Sequence, residues 1–323
     1  MATYTETHTL NTGAKIPAVG LGTWLSAPGE VRAAVKTALE AGYRHIDAAA
    51  IYNNESEVGA GIADSGVSRD DIFLTSKLWN NARHAADVER ALDESLSKLN
   101  TSYLDLYLIH WPCHFESGAN QFPQTPAGEI ALADIPISET WGAMEALLET
   151  GKVRAIGVSN FNQRRLEELL KTAKVVPAVN QIEAHPWLQQ EELRRFHEEK
   201  GIHITAYSPL GNNIYGKKRV LDDEVIKEVA KDAGVDVAQA LISWAVKRGT
   251  SVVPKSVTAE RIKSNFKKVD LTEEAFQKLN GLDKNQRYND PIEWGFDVFD
   301  EHQEEELRVA SMEYAKSHPI KKD

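Results

Sequence analysis

Residues 104–159 contain the apolar run LDLYLIH (104–110), the segment SETWGAMEALLET (138–150) and a second apolar run, VRAIGVS (153–159). The two runs are short and largely apolar, which is typical of buried strands, whereas the middle segment repeats apolar residues every three and four positions, as a helix does. A strand, a helix and a second strand in this order predict a parallel pair of strands joined by a helical crossover.

The same alternation continues in both directions, so that eight strand-like runs are separated by helical segments. Eight runs are what a closed parallel barrel needs, whereas an open doubly wound sheet typically needs only five or six. We therefore predict an α/β fold, the (β/α)8 TIM barrel. The runs are VGLG (19–22), YRHID (43–47), IFLTSK (72–77), LDLYLIH (104–110), VRAIGVS (153–159), AVNQIE (178–183), HITAYS (203–208) and SVVPKS (251–256). Helices are predicted near 29–41, 87–98, 138–150, 162–172 and 189–199. Asp236 and Thr272 are predicted N-caps of helices that follow them.

Two segments lie outside the predicted barrel. HTLNTGAKIPAVG (8–20) predicts a hairpin with its turn at 11–13, and RYNDPIEWGFDVFDEHQEEE (287–306) mixes aromatic and charged residues. We predict an N-terminal hairpin, a barrel at about 16–282 and a C-terminal tail (283–323) that lies over the barrel and ends in a frayed lysine-rich terminus. Because no Pro-rich or Gly/Ser-rich linker divides the chain, residues 1–323 are expected to form a single domain.

Charge and cysteine content exclude several kinds of protein. The formal net charge of −11 argues against a nucleic-acid partner, since binding to a phosphate backbone depends on lysine and arginine. A single cysteine, Cys113, cannot form an internal disulfide, and the first residues lack the apolar core of a signal peptide. No run of about 18 apolar residues occurs, so we expect a cytoplasmic protein with no membrane partner.

Polar residues close most of the predicted strands. In a parallel barrel the active site lies at the carboxyl ends of the strands, so these residues are expected to meet in one pocket although they are far apart in sequence. They are Asp47, Lys77, His110, Ser159, Asn160, Gln181, Tyr207, Ser208, Lys255 and Ser256.

Four residues of this region are suited to carbonyl reduction. Hydride transfer to a carbonyl leaves a developing alkoxide, which needs a proton and a hydrogen-bond donor. The pKa of tyrosine is near 10, and a Lys77 ammonium next to Tyr52 would lower it, while Asp47 would keep Lys77 charged. A neutral His110 would orient the substrate oxygen. The hydride has to come from a cofactor, because no side chain supplies one.

Each of these residues, taken alone, also has a structural explanation. Asp47 and Lys77 could form an ion pair that closes the barrel, and His110 could be a hydrogen-bonded core histidine. Tyr52 and the tryptophans could be packing residues. The motifs in which the four residues occur favour the catalytic interpretation.

Eight motifs are spread along the chain, namely GLGTW (20–24), GYRHIDAAAIYNNESEVG (42–59), TSKLW (75–79), LDLYLIHWP (104–112), GVSNF (157–161), NQIEAHP (180–186), AYSPLG (206–211) and VPKSVTAERIKSNF (253–266). In these motifs the chain resembles the aldo-keto reductases from end to end. This resemblance implies a catalytic tetrad without departure at any position, carried by Asp47, Tyr52, Lys77 and His110. It also implies that NADPH/NADP+ binds without a glycine-rich Rossmann motif, and the sequence has no such motif between a strand and a helix.

The resemblance further implies where the cofactor and the substrate bind. The nicotinamide carboxamide would be held at the ends of the fifth and sixth strands, with Tyr207 stacked on the ring, and the loop after Leu210 would pass over the pyrophosphate. Phe115 and Phe122 could join the substrate pocket. The implied cofactor residues are Thr23, Trp24, Ser159, Asn160, Gln181, Tyr207, Ser208, Leu210, Lys255, Ser256, Val257, Thr258, Arg261 and Asn265, and the implied substrate residues are Trp24, Tyr52, Trp79, His110, Trp111 and Trp294.

Charge favours NADPH over NADH. A 2′-phosphate needs fixed cations, ideally with a bidentate arginine, and Lys255 and Arg261 supply both. An NAD site more often places a carboxylate on the ribose hydroxyls, a role for which Glu260 is a candidate, so use of both cofactors stays open.

The expected activity is NADPH-dependent reduction of small aldehydes or aldoses, such as glyceraldehyde or xylose, reversible as an NADP-dependent polyol (glycerol) dehydrogenase. AYSPLGNN (206–213), KSVTAERIKSNF (255–266) and RYNDPIEWG (287–295) resemble fungal family members that convert glyceraldehyde, glycerol and pentoses. Two alternatives are an NADPH-binding regulatory or sensor barrel that needs no turnover, and an aldolase or isomerase that uses Lys77 as a Schiff base.

Other polar clusters carry weaker hypotheses. Residues 217–219 (KKR) could hold the pyrophosphate, although charge runs are usually solvated faces. Cys113 and His114 beside His110 lack the spacing of a structural zinc site, so no metal is expected. We expect a monomer or a dimer.

Overall fold

An antiparallel hairpin lies at the start of the chain in the computed structural model, which describes residues 2–211 and 216–320. The hairpin consists of β1 (Thr7–Thr9) and β2 (Lys15–Pro17), as predicted. Gly13 in the turn has a φ of 84°, a left-handed conformation that glycine adopts without strain. The buried side chains of Leu10 and Ile16 pack against apolar residues at the amino-terminal ends of barrel strands. The hairpin therefore closes that end of the barrel.

Eight parallel strands form the barrel, and each pairs with its neighbours in chain order. The sheet closes on itself because Val19 bridges to Val252 and Gly22 bridges to Lys255. Across this seam, the Gly20 amide donates to the carbonyl oxygen of Val252 at 2.9 Å. The predicted (β/α)8 barrel is confirmed. Its strands are β3 (Leu21–Gly22), β4 (His45–Asp47), β5 (Phe73–Leu78), β6 (Leu106–Ile109), β7 (Ile156–Ser159), β8 (Val179–Glu183), β9 (His203–Tyr207) and β10 (Ser251–Val252).

Helices cover the outside of the barrel, and the five that the sequence predicts are present with ends shifted by one or two residues. Asp236 forms the predicted capping box with Gln239, and Thr272 accepts a hydrogen bond from the Ala275 amide. The helices of the described residues are α1 (Glu30–Glu40), α2 (Glu55–Ser65), α3 (Ala85–Leu99), α4 (Ile137–Leu148), α5 (Gln163–Leu170), α6 (Glu191–Lys200), α7 (Glu224–Asp232), α8 (Val237–Lys247), α9 (Ala259–Asn265), α10 (Glu273–Asn280) and α11 (Glu304–Ser317). None of them is long and apolar enough to cross a membrane.

The tail crosses the carboxyl-terminal end of the barrel, as predicted. Glu183, the last residue of β8, accepts hydrogen bonds from the Tyr288 amide at 2.9 Å and from the Asn289 amide and side chain, both at 2.8 Å. Arg165 of α5 donates to the carbonyl oxygens of residues 297 and 298. The sequence did not predict α11, whose charged first turn is capped by Gln303. The lysine-rich end, 321–323, lies outside the described residues.

Candidate active site

A cavity of about 450 Å³ lies at the carboxyl-terminal end of the barrel. Most of the residues that the sequence places at the site line it: Thr23, Trp24, Asp47, Tyr52, Trp79, His110, Trp111, Ser159, Asn160, Gln181, Tyr207, Ser208, Leu210, Lys255 and Trp294. Several others do not line it, namely Lys77, Phe115, Ser256, Val257, Thr258, Arg261 and Asn265.

Lys77 lies behind the cavity and is fully buried. Its Nζ donates to Asp47 Oδ1 at 2.6 Å, to the carbonyl oxygen of Ala48 at 3.0 Å and to the hydroxyl of Tyr52 at 3.3 Å. Asp47 ends β4, and Tyr52 ends the short 3-10 turn at residues 50–52 that follows it, so the local path of the chain brings both side chains to β5. All three protons of the ammonium group have acceptors.

The pKa shifts of Lys77 and Tyr52 follow from burial and from nearby charges. Burial lowers the pKa of Lys77, but Asp47 and Tyr52 together raise it above its ordinary value, so the ammonium stays charged. Burial and the charge of Asp47 raise the pKa of Tyr52, and together they outweigh the lowering by Lys77. The expectation that Lys77 lowers this pKa is therefore correct for its own contribution and wrong for the net direction, because desolvation and Asp47 both disfavour the phenolate. Tyr52 is protonated at neutral pH, which is the state a proton donor needs.

Asp47 is held on both carboxylate oxygens. Oδ1 accepts from Lys77, and Oδ2 accepts from Gln181 Nε2 at 2.6 Å. Its backbone carbonyl accepts from the hydroxyl of Thr23 at 2.8 Å. The sequence suggested the first of these contacts and neither of the other two.

His110, just after β6, lies with its ring edge-on to Tyr52 and Trp79, with ring centres 5.7 and 5.3 Å apart. Burial, with the charges of Lys77 and Arg83, holds the pKa of His110 well below its ordinary value. The imidazole is therefore neutral and carries one N–H, which can donate a hydrogen bond to the oxygen of a ligand in the cavity.

A shelf of polar side chains forms another part of the cavity, and we call Ser159, Asn160, Gln181 and Tyr207 the amide shelf. Ser159 Oγ donates to the carbonyl oxygen of Gln181 at 2.8 Å, and the Tyr207 hydroxyl donates to Asn160 Oδ1 at 2.6 Å. Asn160 Nδ2 donates to the carbonyl oxygen of His110 at 3.0 Å. Asn160 has a φ of 65°, a conformation that asparagine tolerates better than most residues. These bonds fix an array of amide and hydroxyl groups next to the Asp47–Lys77–Tyr52 chain.

Aromatic side chains form a further part of the cavity lining, and we call Trp79, Trp111, Phe122 and Trp294 the aromatic wall. Trp294 meets Trp79 and Trp111 edge to face, with ring centres 5.9 and 5.3 Å apart. Phe115 packs behind this wall and is fully buried, so it supports the wall without lining the cavity. The wall is suited to an apolar or hydroxylated carbon chain of small size.

Two cations form what we call the cationic edge: Lys255 lines the cavity, and Arg261 on α9 does not. Lys255 Nζ donates to the carbonyl oxygen of Leu25 at 2.8 Å, and Arg261 Nη2 donates to Thr258 Oγ1 at 2.9 Å. Burial lowers the pKa of Lys255, Glu30 partly opposes this, and Arg261 adds a smaller lowering. A lysine and an arginine in one short segment, residues 255–261, suit a multiply charged anion such as a phosphate. The donor set thus agrees with the implied 2′-phosphate contact of NADPH, with Ser256 and Thr258 hydroxyls beside it.

The tail supplies cavity residues that the sequence did not predict, among them Asn289, Asp290 and Glu293. They lie in the segment RYNDPIEWG that resembles fungal family members, but this segment follows no predicted strand, so the strand-end rule does not identify them. The cluster at 217–219 does not line the cavity: Lys217 donates to the carbonyl oxygen of Arg287, and Arg219 pairs with Asp222. Part of the loop expected over the pyrophosphate, residues 212–215, lies outside the described residues.

Comparison with known proteins gives one consistent family. Residues 18–284 match the aldo/keto reductase family. The chain is 46% identical over 317 residues to a D/L-glyceraldehyde reductase of Hypocrea jecorina, a match that covers 93% of this chain and 96% of the relative. It is 46% identical over 295 residues to human aldo-keto reductase family 1 member A1, covering 88% and 91%.

A solved structure gives the same result. The aldose reductase of Schistosoma japonicum superposes with a TM-score of 0.87 at 38% identity, over 92% of this chain and 99% of that structure.

Proposed function

The chain belongs to the aldo/keto reductase family and is an oxidoreductase, and from this premise we propose that it reduces small aldehydes and aldoses, such as glyceraldehyde and xylose, with NADPH. The same site would run in reverse as an NADP-dependent polyol dehydrogenase, for example on glycerol. The observation that carries the proposal is the buried chain from Asp47 through Lys77 to the Tyr52 hydroxyl, with contacts of 2.6 and 3.3 Å.

When bound, NADPH supplies the hydride. Tyr52 donates its proton to the substrate oxygen as negative charge develops there. Lys77, which is held charged by Asp47, stabilises the phenolate that Tyr52 leaves behind, so the charge moves toward an ammonium already in place. His110 donates a hydrogen bond to the same oxygen and orients the carbonyl.

The amide shelf and the cationic edge support NADPH as the cofactor. Ser159, Asn160 and Gln181 present hydroxyl and amide groups suited to a carboxamide, and Tyr207 offers a ring for stacking. Lys255, Ser256, Thr258 and Arg261 would surround the 2′-phosphate, with Val257 and Asn265 in the same segment. Glu260 on α9 is exposed and makes no ion pair among those found in the described residues, so NADH use at lower affinity stays part of the proposal.

Charge in the substrate part of the cavity favours an uncharged substrate. Apart from Asp47, the carboxylates that line the cavity are Asp290 and Glu293, and Lys255 is its one lysine or arginine in the described residues. Since Lys255 lies at the cationic edge, a carboxylated aldehyde would meet acidic groups. A small hydroxyaldehyde would meet the aromatic wall on one side and hydrogen-bonding groups on the other. The name of the H. jecorina relative, D/L-glyceraldehyde reductase, agrees with this choice.

A substrate panel tests the proposal. Purified protein is supplied with glyceraldehyde, xylose and a small ketone, each with NADPH and with NADH, and kcat/KM is measured from loss of reduced cofactor. Turnover of glyceraldehyde with a clear preference for NADPH is the expected result, and the absence of turnover with every small aldehyde would refute it. Tyr52→Phe should remove most of kcat and leave NADPH binding intact, whereas a sensor barrel would keep its role in this variant. A single-domain chain acting in the cytoplasm as a monomer or dimer completes the proposal.

A further inference from the structure

We propose that Arg83 is a positioning residue that sets the aromatic wall of the candidate active site, by tying together the two loops that carry Trp79 and Trp111. The inference rests on the proposed function, because it concerns how the carbonyl substrate is held. Arg83 itself does not line the cavity.

Arg83 is fully buried and uses main-chain oxygens as its principal acceptors. Its Nε donates to the carbonyl oxygen of Trp79 at 3.1 Å, and its Nη2 donates to the carbonyl oxygen of Trp111 at 2.6 Å. Nη2 also donates to Asn80 Oδ1 at 2.9 Å. One planar group therefore contacts the backbone of both tryptophans.

The guanidinium has no counter-ion in the described part of the chain. No carboxylate there lies within ion-pairing distance of it, and its Nη1 is buried without a hydrogen-bond partner. Burial lowers the pKa of Arg83 to about 10, which still leaves it charged at neutral pH. Burying a lone cation is unfavourable, and an apolar side chain of similar volume would fill the space without that penalty. An apolar side chain could not bridge two carbonyl oxygens in a fixed plane, and this is what a guanidinium does.

Further contacts make the two loops one unit. Asn80 Nδ2 donates to Cys113 Sγ at 3.2 Å, and the Phe115 amide donates to the carbonyl oxygen of Asn80 at 2.9 Å. The hydroxyl of Thr140 on α4 donates to the carbonyl oxygen of Arg83 at 2.7 Å, which fixes the arginine to the outer helix layer. Displacing Arg83 would therefore move the tryptophans relative to each other, because each is attached to it through its own carbonyl.

The charge of Arg83 acts on His110 as well. After burial and Lys77, Arg83 is the third contribution that lowers the pKa of His110. The planar donor geometry of the guanidinium and its positive charge can be tested separately. Lysine keeps the charge but lacks the planar set of N–H donors that bridges two carbonyl oxygens.

The test compares Arg83→Met and Arg83→Lys with wild type, at saturating NADPH and varied glyceraldehyde. Arg248→Met is the control, because the Arg248 side chain is also largely buried and donates to the carbonyl oxygen of Gln189 at 2.8 Å. Burial lowers its pKa to about 10, and it differs from Arg83 in having a carboxylate, that of Glu191, 3.6 Å away. It packs over Trp244 and does not line the cavity.

Arg83→Met should raise KM for the aldehyde about tenfold while kcat changes little and the Kd for NADPH stays constant, which is the pattern expected when ground-state and transition-state binding are lost together. Arg83→Lys should show a smaller rise in KM and keep the pKa of His110, read by NMR, at its wild-type position. In Arg83→Met that pKa should move upward toward the ordinary value. Arg248→Met should lower Tm and leave KM unchanged.

A rise in KM no larger than that of Arg248→Met would overturn the proposal, since burial alone would then explain Arg83. If Arg83→Met does not fold, Arg83→Lys decides by the same criterion. A crystal structure of the folded Arg83 variant shows the positions of Trp79 and Trp111 independently of enzyme activity. Displacement of these side chains from their wild-type positions supports the inference, and unchanged positions contradict it. This readout keeps failure of the inference distinct from failure of the proposed reductase activity.

Discussion

Gln181 donates from Nε2 to Oδ2 of Asp47 at 2.6 Å, and the other oxygen of that carboxylate accepts from Lys77. One buried carboxylate therefore joins the amide shelf to the proton-donor side of the site. A shift of the shelf would be transmitted to Lys77, and from there to Tyr52.

Asp47→Asn removes the charge of this carboxylate and nearly preserves its shape. Lys77 would then lie buried without an anion, its pKa would fall, and the phenolate of Tyr52 would lose its support. We expect kcat to fall about a hundredfold or more, with a smaller loss of NADPH affinity, because one acceptor for Gln181 or Lys77 becomes a donor. Asp64→Asn on the outer surface, where Asp64 pairs with Arg32, is the control and should keep wild-type kcat. A loss of kcat below about threefold in Asp47→Asn would contradict the role given to the carboxylate.

Glu183→Gln weakens the anchor of the tail. The carboxylate is almost fully buried and accepts three hydrogen bonds from residues 288 and 289, as well as contacting His185 Nε2 at 2.9 Å. A glutamine turns one acceptor into a donor that faces other donors, so the free energy of unfolding should fall by about 3 kcal/mol. Because Asn289 lines the cavity, KM for the aldehyde should also rise. Urea denaturation measures the free energy of unfolding, and steady-state kinetics measure KM for the aldehyde. Glu305→Gln, at an exposed residue, is the control.

Glu293→Gln should change selectivity between charged and uncharged aldehydes. Burial raises the pKa of Glu293, yet in its charged form the carboxylate would repel an anionic substrate in the cavity. Removing about 1 kcal/mol of repulsion corresponds to about fivefold in kcat/KM for a carboxylated aldehyde, with little effect on glyceraldehyde. The ratio of the two kcat/KM values, measured in wild type and variant, checks this. An unchanged ratio would show that Glu293 does not select substrate charge.

Gly157→Ala should destabilise the barrel. A Cβ atom at this position would lie 2.4 Å from the carbonyl oxygen of Val179 and 2.8 Å from the Leu108 side chain, and both neighbours belong to adjacent strands. Forced displacement of packed strands costs about 1–3 kcal/mol. Gly142→Ala in α4 is the matched control, since a Cβ there meets nothing within 4 Å and alanine favours a helix. Thermal unfolding should show a lower Tm for the first variant and an equal or higher Tm for the second.

Stability should decline in mild acid because several histidines are buried in the neutral form. Burial lowers the pKa of His45 and His197 to about 4 and that of His114 and His203 to about 3. In the unfolded chain these groups titrate near 6.5, so below that pH the unfolded state binds more protons, and the free energy of unfolding falls until the folded pKa is reached.

Each such histidine contributes a loss of up to about 1.4 kcal/mol per pH unit between about 6.5 and 4. Urea denaturation at several pH values in this range measures the slope. His197→Gln should make the slope shallower, and an identical slope in the variant would argue against this origin of the acid sensitivity.

The barrel could be predicted from the sequence because each strand is buried and short, so that apolar runs and helical repeats alternate without interruption. The strand-end rule also located Asp47, Lys77 and His110. It could not say in which layer each side chain lies: Lys77 is behind the cavity rather than in its wall.

The parts that were missed lack a local signal. Glu183 holds the tail through backbone amides more than a hundred residues away, and backbone amides are identical in every sequence. Helix α11 has a charged first turn and few buried residues, so its apolar periodicity is weak. Arg83 looks like an ordinary surface charge until burial and its two carbonyl partners are known.

The hairpin covers the amino-terminal end of the barrel, because Leu10 and Ile16 pack there against the strands. In the part of the chain that the structure describes, the cavity therefore opens at the carboxyl-terminal end of the barrel, where the tail also lies. When two ligands enter a cavity through the same opening, the one that binds deeper has to bind first and dissociate last. Product-inhibition patterns should therefore show a compulsory order of binding and release.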